Sequence, residues 1–370
     1  MKKLLKISVV ASLGASLVLP AVSMSSANAA DIVTTAKAFV ANSLAAKAGF
    51  TPPSKGATAQ KKDSAVIACV ASDLSNGGVT GSIAGIKEAA AHLGWTVKVY
   101  DGQGTVSGRT AAMNAAITAK PNAIILCGTD ATEQAAQVAA ANAANIPCFG
   151  WHATPSVGAS LGLKMNATTD PLVVSREAAD YAIAKSGKTK FGAVLFTDSE
   201  YQIAIKKSDA IKAELKKDPY ATVLETKDSP IAATSAQMPA IIASMLQKYG
   251  KKFTYFLGIN GAYANGAAPA LQSAGISPTG APFAIAAGDG DSAELDRIRT
   301  NKYQLATVAE PLYLQGWQIV DAINDTLAGV AIPSFVPAPG LIDHSNVPFG
   351  TIFDPASGYR AIYLKTWGVS

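Results

Sequence analysis

From residue 64 onward the apolar positions switch repeatedly between two periods. Residues 65–71 form a continuous apolar run, as a strand covered on both faces would. Val79, Ile83, Ile86, Ala90 and Leu93 then recur at spacings of 4, 3, 4 and 3, which lays one apolar stripe along a helix. Gly94 follows as a natural stop. The pattern predicts strands at 96–100, 123–127 and 146–149, with helices over 108–120 and 131–144 between them. After a break the alternation restarts, with strands at 191–197, 253–258, 283–287 and 304–309 and helices over 199–217, 234–249 and 263–274. Two successive β-α runs predict an α/β protein of two doubly wound parallel-sheet domains, each sheet covered by helices on both faces.

Ligands of such sheets bind outside the carboxyl ends of the strands, so the segments after the strands hold the candidate site. Asn76-Gly77-Gly78 follows the first strand and opens a helix whose first N–H groups are free. The Asn76 amide can both donate to and accept from a hydroxyl, and the same turn also reads as ordinary helix capping. Trp151-His152 ends the fourth strand. An indole face packs well on the C–H face of a sugar or on another ring, and His152 reads as a hydrogen-bond partner or as a structural histidine. Glu200 and Tyr201 lie in the polar cluster 197–201, which equally reads as a helix cap. Asn260, Asp289 and Glu310 each follow a later strand. Six such clusters together describe a cleft between two domains, lined with Asn, Trp, His, Glu and Asp.

The N-terminus changes the setting. Lys2, Lys3 and Lys6 precede an apolar run from Ile7 to Leu19, and Ala27-Asn28-Ala29 offers a small-x-small cleavage pattern. The run is too short to span a bilayer, so 1–29 reads as a secretory signal peptide and the mature chain as periplasmic. No cysteine lies near the cut, so no lipid anchor is expected. Residues 30–62 read as an extension, with a short helix over 33–48 and then Pro52, Pro53 and Lys61-Lys62, that packs on the surface or stays mobile. Losing three lysines with the leader leaves 28 of the 31 Lys+Arg against 26 Asp+Glu, which argues against nucleic acid and membrane surfaces as partners. Cys69, Cys127 and Cys148 each sit in an apolar strand-like run and read as buried thiols.

The order and spacing of several landmarks resemble the type I periplasmic solute-binding proteins of the ribose and galactose class. These landmarks are Asn76-Gly77-Gly78, Ala144-Asn145-Ile146-Pro147, Asn260, Gly288-Asp289-Gly290 and Ala306-Thr307-Val308-Ala309-Glu310. The resemblance covers 63–332. It implies two α/β lobes, 63–167 plus 311–337 and 168–310 plus 338–370, joined by a three-segment hinge near Ala167, Glu310 and Pro337. It further implies a monomeric substrate-binding protein that closes on a monosaccharide, amino sugar or sugar-like molecule and delivers it to the membrane permease of an ABC importer. A sensor module presenting its ligand to a receptor is the alternative. Asn76, Asn260, Asp289 and Glu310 stand where family members hydrogen-bond ligand. This chain departs from the sugar binders in carrying Trp151-His152 in place of an Asp-Arg pair, and Ile205-Lys206-Lys207 in place of an early arginine. With Glu310 where sugar binders often carry Gln, and Glu200 nearby, the site is expected to be acidic and to suit a basic ligand such as an amino sugar or small amine.

Strings that suggest catalysis are set against this. Gly158-Ala159-Ser160-Leu161-Gly162 fits G-x-S-x-G with His344 downstream, but a nucleophile elbow must join a strand to a helix and the residues after Ser160 read as a strand. Residues 288–293 fit a dinucleotide fingerprint, yet Asp289 and Asp291 would face the pyrophosphate. Asp289 with Glu310 could be read as a glycosidase pair. Only three histidines occur and no H-E-x-x-H motif. No metal, no cofactor and no catalytic residue are expected.

Overall fold

The structure is a computed structural model that describes residues 31–45, 56–60 and 64–369. The expected leader 1–29, Pro52, Pro53 and Lys61-Lys62 lie outside these residues. The first sheet contains β1 (Val66–Ala71), β2 (Thr96–Asp101), β3 (Ala123–Cys127), β4 (Cys148–Trp151) and β5 (Leu163–Ala167) in the order β2-β1-β3-β4-β5. All its pairs are parallel. The second contains β6 (Phe191–Thr197), β7 (Ala221–Asp228), β8 (Phe253–Gly258), β9 (Phe283–Ala286), β10 (Gln304–Ala309) and β11 (Gly340–Asp343) in the order β11-β10-β9-β8-β6-β7. Only its β10–β11 pair is antiparallel. Two doubly wound α/β lobes result, the type I periplasmic binding protein architecture. Among the described residues, no helix is long and apolar enough to cross a membrane.

Central strands are apolar throughout because helices cover both faces; β3 and β6 are buried at every position. The edge strand β7 is different. Its burial alternates with exposure along Thr222-Val223-Leu224-Glu225, so the continuous apolar signature is missing and the pattern did not predict it.

Two helices approach closely in the first lobe. Helix α2 (Gly77–His92) and helix α10 (Leu312–Ala328) pack in the first lobe at a close crossing. A Cβ on Gly85 would lie 2.6 Å from the Tyr313 Cα, and one on Gly316 would lie 2.5 Å from the Ile86 N. Glycine at both positions lets the backbones approach this far. Trp317 on α10 stacks on Trp367 of α11 (Tyr359–Trp367), with ring centroids 5.3 Å apart and planes 5° apart. Tyr359, Tyr363 and Trp367 therefore belong to the core of the first lobe. This corrects the expectation that placed 338–370 wholly in the second lobe. β11 does pair there, but the chain then returns to the first lobe.

The extension is also more ordered than expected. Helix α1 (Ile32–Ala45) buries Val33, Ala36 and Val40 in the core of the second lobe. Residues 56–60 dock instead on the first lobe, where the Ala57 N donates to Asp325 Oδ1 at 2.7 Å and the Gln60 N to Asn324 Oδ1 at 2.8 Å. Cys69, Cys127 and Cys148 are buried free thiols.

Candidate functional site

The carboxyl ends of both sheets face each other across a cleft. A cavity lies between them. Asn76, Trp151, His152, Tyr201, Asn260 and Asp289 all line it. Of the eight residues proposed from sequence, the structure brings these six to the cavity wall. Glu310 lies directly behind the wall and Glu200 at the rim.

Each side chain arrives for a local reason. Asn76 is the N-cap of α2, its Oδ1 accepting from the Gly78 N at 2.9 Å and the Val79 N at 3.2 Å. Asn260 Oδ1 accepts from the Ala262 N at 3.1 Å. The Asn76 oxygen is filled by two backbone donors, so Asn76 keeps only its NH2 donors for a ligand, whereas the Asn260 oxygen keeps one lone pair beside its NH2. That narrows the expectation that Asn76 would also accept. His152 and Asp289 hold φ of 52° and 65°, a left-handed backbone uncommon outside glycine and often found where a side chain is aimed at a site.

Trp151 and His152 form a stacked pair with centroids 4.0 Å apart and planes 7° apart. One indole face is thus already covered, and Trp151 Nε1 donates to Gln315 Oε1 at 2.7 Å. Asp289 is buried at the wall; burial pushes its carboxyl well above the usual range, Lys207 opposes this, and nearby carboxylates reinforce it. Lys207 was not singled out as a site residue. It stands in the stretch noted for lacking an arginine, and its side chain supplies the site's cation.

Glu310 is fully buried and fully engaged. Its Oε1 lies 2.8 Å from Lys207 Nζ, its Oε2 lies 2.8 Å from His152 Nε2, and Thr169 Oγ1 donates to Oε2 at 2.5 Å. Burial alone would raise the Glu310 carboxyl, but His152 and Lys207 together hold it well below the usual range. Glu200 is engaged as well, 2.9 Å from Arg109 Nη2. Both carboxylates expected to make the site acidic are therefore held by protein partners, Glu310 by Lys207 and His152, and Glu200 by an Arg109 that it shares with Glu133. A preference for a basic ligand does not follow from this site.

Arg109 reaches from the first lobe into the second. On α3 (Val106–Thr118) it is itself fully buried. Its Nε donates to both oxygens of Glu133 in its own lobe, and its Nη1 donates to Tyr201 Oη at 3.0 Å in the other. Beside this contact the Gln202 N donates to Asp130 Oδ2 at 2.9 Å, and Lys206 Nζ to the Pro155 carbonyl at 2.9 Å. The lobes thus also meet through polar contacts beside the cavity, with Tyr201 shared between the two.

The model for the periplasmic binding protein domain matches residues 67–330. The chain belongs to the periplasmic binding protein domain family. Solved structures share its fold. One is a galactofuranose binding protein, with a TM-score of 0.68 and 16% identity, covering 77% of this chain and 96% of that one. An ABC transporter solute binding protein from Agrobacterium vitis, bound with alpha-D-tagatopyranose, has a TM-score of 0.68 and 20% identity over 79% and 100% of the two chains. Another from Mycobacterium smegmatis, with bound glycerol, has a TM-score of 0.67 and 18% identity over 78% and 99%. No curated protein is similar to the chain in sequence.

Within this periplasmic binding protein the strings that suggested catalysis lie apart. Ser160 sits in the turn between β4 and β5, bridged to Leu163, while His344 contacts the Ile298 carbonyl in the second lobe at 3.2 Å. Asp291 caps helix α9 (Ser292–Arg299) through a box with Glu294, which occupies the N–H groups a pyrophosphate would need. Ligand atoms of His152, Asp289 and Glu310 do come within 4.8 Å of one another. The Lys207 ammonium already sits on that Glu310 carboxylate, and a metal ion there would have to displace it.

Proposed function

We propose that this protein captures a small polar solute in the periplasm by closing its two lobes, and delivers it to the membrane permease of an ABC importer. On this reading 1–29 directs export and is removed, the chain acts as a monomer, and it binds without catalysis. The solute class is a sugar or sugar-like molecule. The carrying observation is the cavity at the junction of the strand ends, with Asn76 and Trp151 from one lobe facing Asn260 and Asp289 from the other. A ligand that touches both lobes contacts more protein in the closed form than in the open one, and that difference drives closure.

The test is a thermal-shift screen of the purified mature chain against sugars, polyols, amino sugars, small amines and aromatic acids. A ligand that binds the folded state raises the melting temperature in a saturable way. The expected result is a shift with a hydroxylated solute that is lost in Asp289→Ala and does not fade on long incubation. Turnover of a chromogenic ester or glycoside, with no saturable shift from any solute, would reject the binding reading.

A further inference from the structure

The cavity wall is unevenly divided. Four of its polar side chains gather around the 288–289 loop. A Cβ built on Gly288 would lie 2.5 Å from Lys207 Nζ and 3.2 Å from the Ile259 carbonyl, and one on Gly78 would lie 2.5 Å from Asp289 Cγ. Asp289, Lys207, Asn76 and Asn260 therefore share one edge. The rest of the wall carries Val79 from α2, Ile203 and Ala204 from the start of α6 (Gln202–Leu215), Ile231 and Ala232 from a single 3-10 turn, and Ile259, with Ser72, Asp73, His152 and Tyr201 set among them. That turn is held in place by the Ile231 N, which donates to Asp198 Oδ2 at 2.7 Å.

The available groups on the polar edge restrict the head group. Asn76 has only its NH2 donors left, Asn260 has its NH2 and one lone pair on Oδ1, Lys207 has spent one bond on Glu310, and Asp289 can accept. A hydroxyl satisfies both kinds of partner, because it donates and accepts at once. A carboxylate would face Asp289, and an amine would face Lys207.

We propose that the cleft selects a small neutral solute with adjacent hydroxyls on one edge and an apolar body on the other, a short vicinal diol or a deoxy sugar, over a fully hydroxylated hexose. This rests on the solute-binding reading above. A hexose would turn further hydroxyls toward Ile203, Ile231 and Ile259. Each stranded hydroxyl costs roughly tenfold to a hundredfold in affinity.

Calorimetric titration of the full mature chain tests this, with butane-2,3-diol, rhamnose, fucose, glucose and galactose as the probes. The diol or a deoxyhexose is expected to bind at least about tenfold more tightly than glucose and galactose; which of the two binds better separates the two sources of the chemistry. Ile231→Asn, at a half-buried position, gives the wall a hydrogen-bonding group and should narrow that gap while leaving the melting temperature near the parent's. Equal or tighter binding of glucose or galactose overturns the proposal and leaves the solute-binding reading intact. The same holds if only an amine or a carboxylate binds. If no solute of any class binds, the solute-binding reading falls and this proposal falls with it.

Discussion

Arg109 Nη2 lies 2.9 Å from Glu200 Oε2, joining the two lobes through a guanidinium that is itself fully buried. Neither residue lines the cavity, so in the proposed closure this contact would act separately from the ligand. Glu200 is 39% exposed at its side chain, which keeps its share modest. Glu200→Ala is expected to raise the ligand dissociation rate about threefold with little change in association. Arg109→Lys, which loses the planar fork, should raise it about tenfold. Stopped-flow fluorescence separates the two rates, and an unchanged dissociation rate in both variants would remove the contact from the closure mechanism.

Lys207 and Glu310 form a buried ion pair at 2.8 Å. Removing Lys207 leaves the buried Glu310 carboxylate with His152 and Thr169 alone. Lys207→Met should therefore destabilise the fold by about 1–3 kcal/mol. Adding Glu310→Gln to that variant should restore part of the loss, because the stranded charge goes too. Urea unfolding of the single and double variants measures the coupling; additive losses would show that the pair is not coupled.

Gly78 sets how closely the lobes approach. A Cβ there would lie 2.5 Å from Asp289 Cγ across the cleft. Alanine fits the first turn of α2 well, so Gly78→Ala should fold normally yet resist closure. Affinity for the ligand is expected to fall at least about tenfold, and the radius of gyration with ligand should stay at the open value in small-angle scattering.

Stability should depend on pH through the face of helix α5 (Pro171–Ser186) that packs under α1. Burial, with Asp180 adding to it and Ser43 and Arg176 opposing, pushes Glu177 up to about 7. Burial, with Glu214 adding to it and Arg176 opposing, pushes Asp180 up to about 6. These folded values lie above the usual carboxylate values of about 4. The stability linked to them is present in full below about pH 4 and is lost as the pH rises through 6 to 7. Glu310 has the opposite sign, its stability being lost only as the pH falls through its lowered value. Melting temperature should thus be higher at pH 5 than at pH 8, and Glu177→Gln should flatten that difference. A scan in which the parent is more stable at pH 8 would contradict the assignment.

Much of the fold was legible because local sequence and burial agree there. The runs at 123–127, 191–197 and 253–258 are strands to the residue, since a strand covered on both faces must be apolar at every position. Edge strand β7 and helix α5 lacked that signal. β7 is half solvated, and α5 buries Glu177 and Asp180 among its apolar residues.

For the site, position along the chain was enough to mark Asn76, Trp151, His152, Tyr201, Asn260 and Asp289, because strand ends must converge in a doubly wound sheet. The sequence by itself also determined the lobed α/β architecture. Charge in the cleft was decided only by tertiary structure. Glu310 and Glu200 looked like an acidic surplus until Lys207, His152 and Arg109, which lie 103, 158 and 91 residues away, proved to be their partners. The same holds for the apolar wall, where Ile203, Ile231 and Ile259 come from separate elements. Electrostatics and cavity lining depend on distances in space, and those distances exist only once the lobes have folded and met.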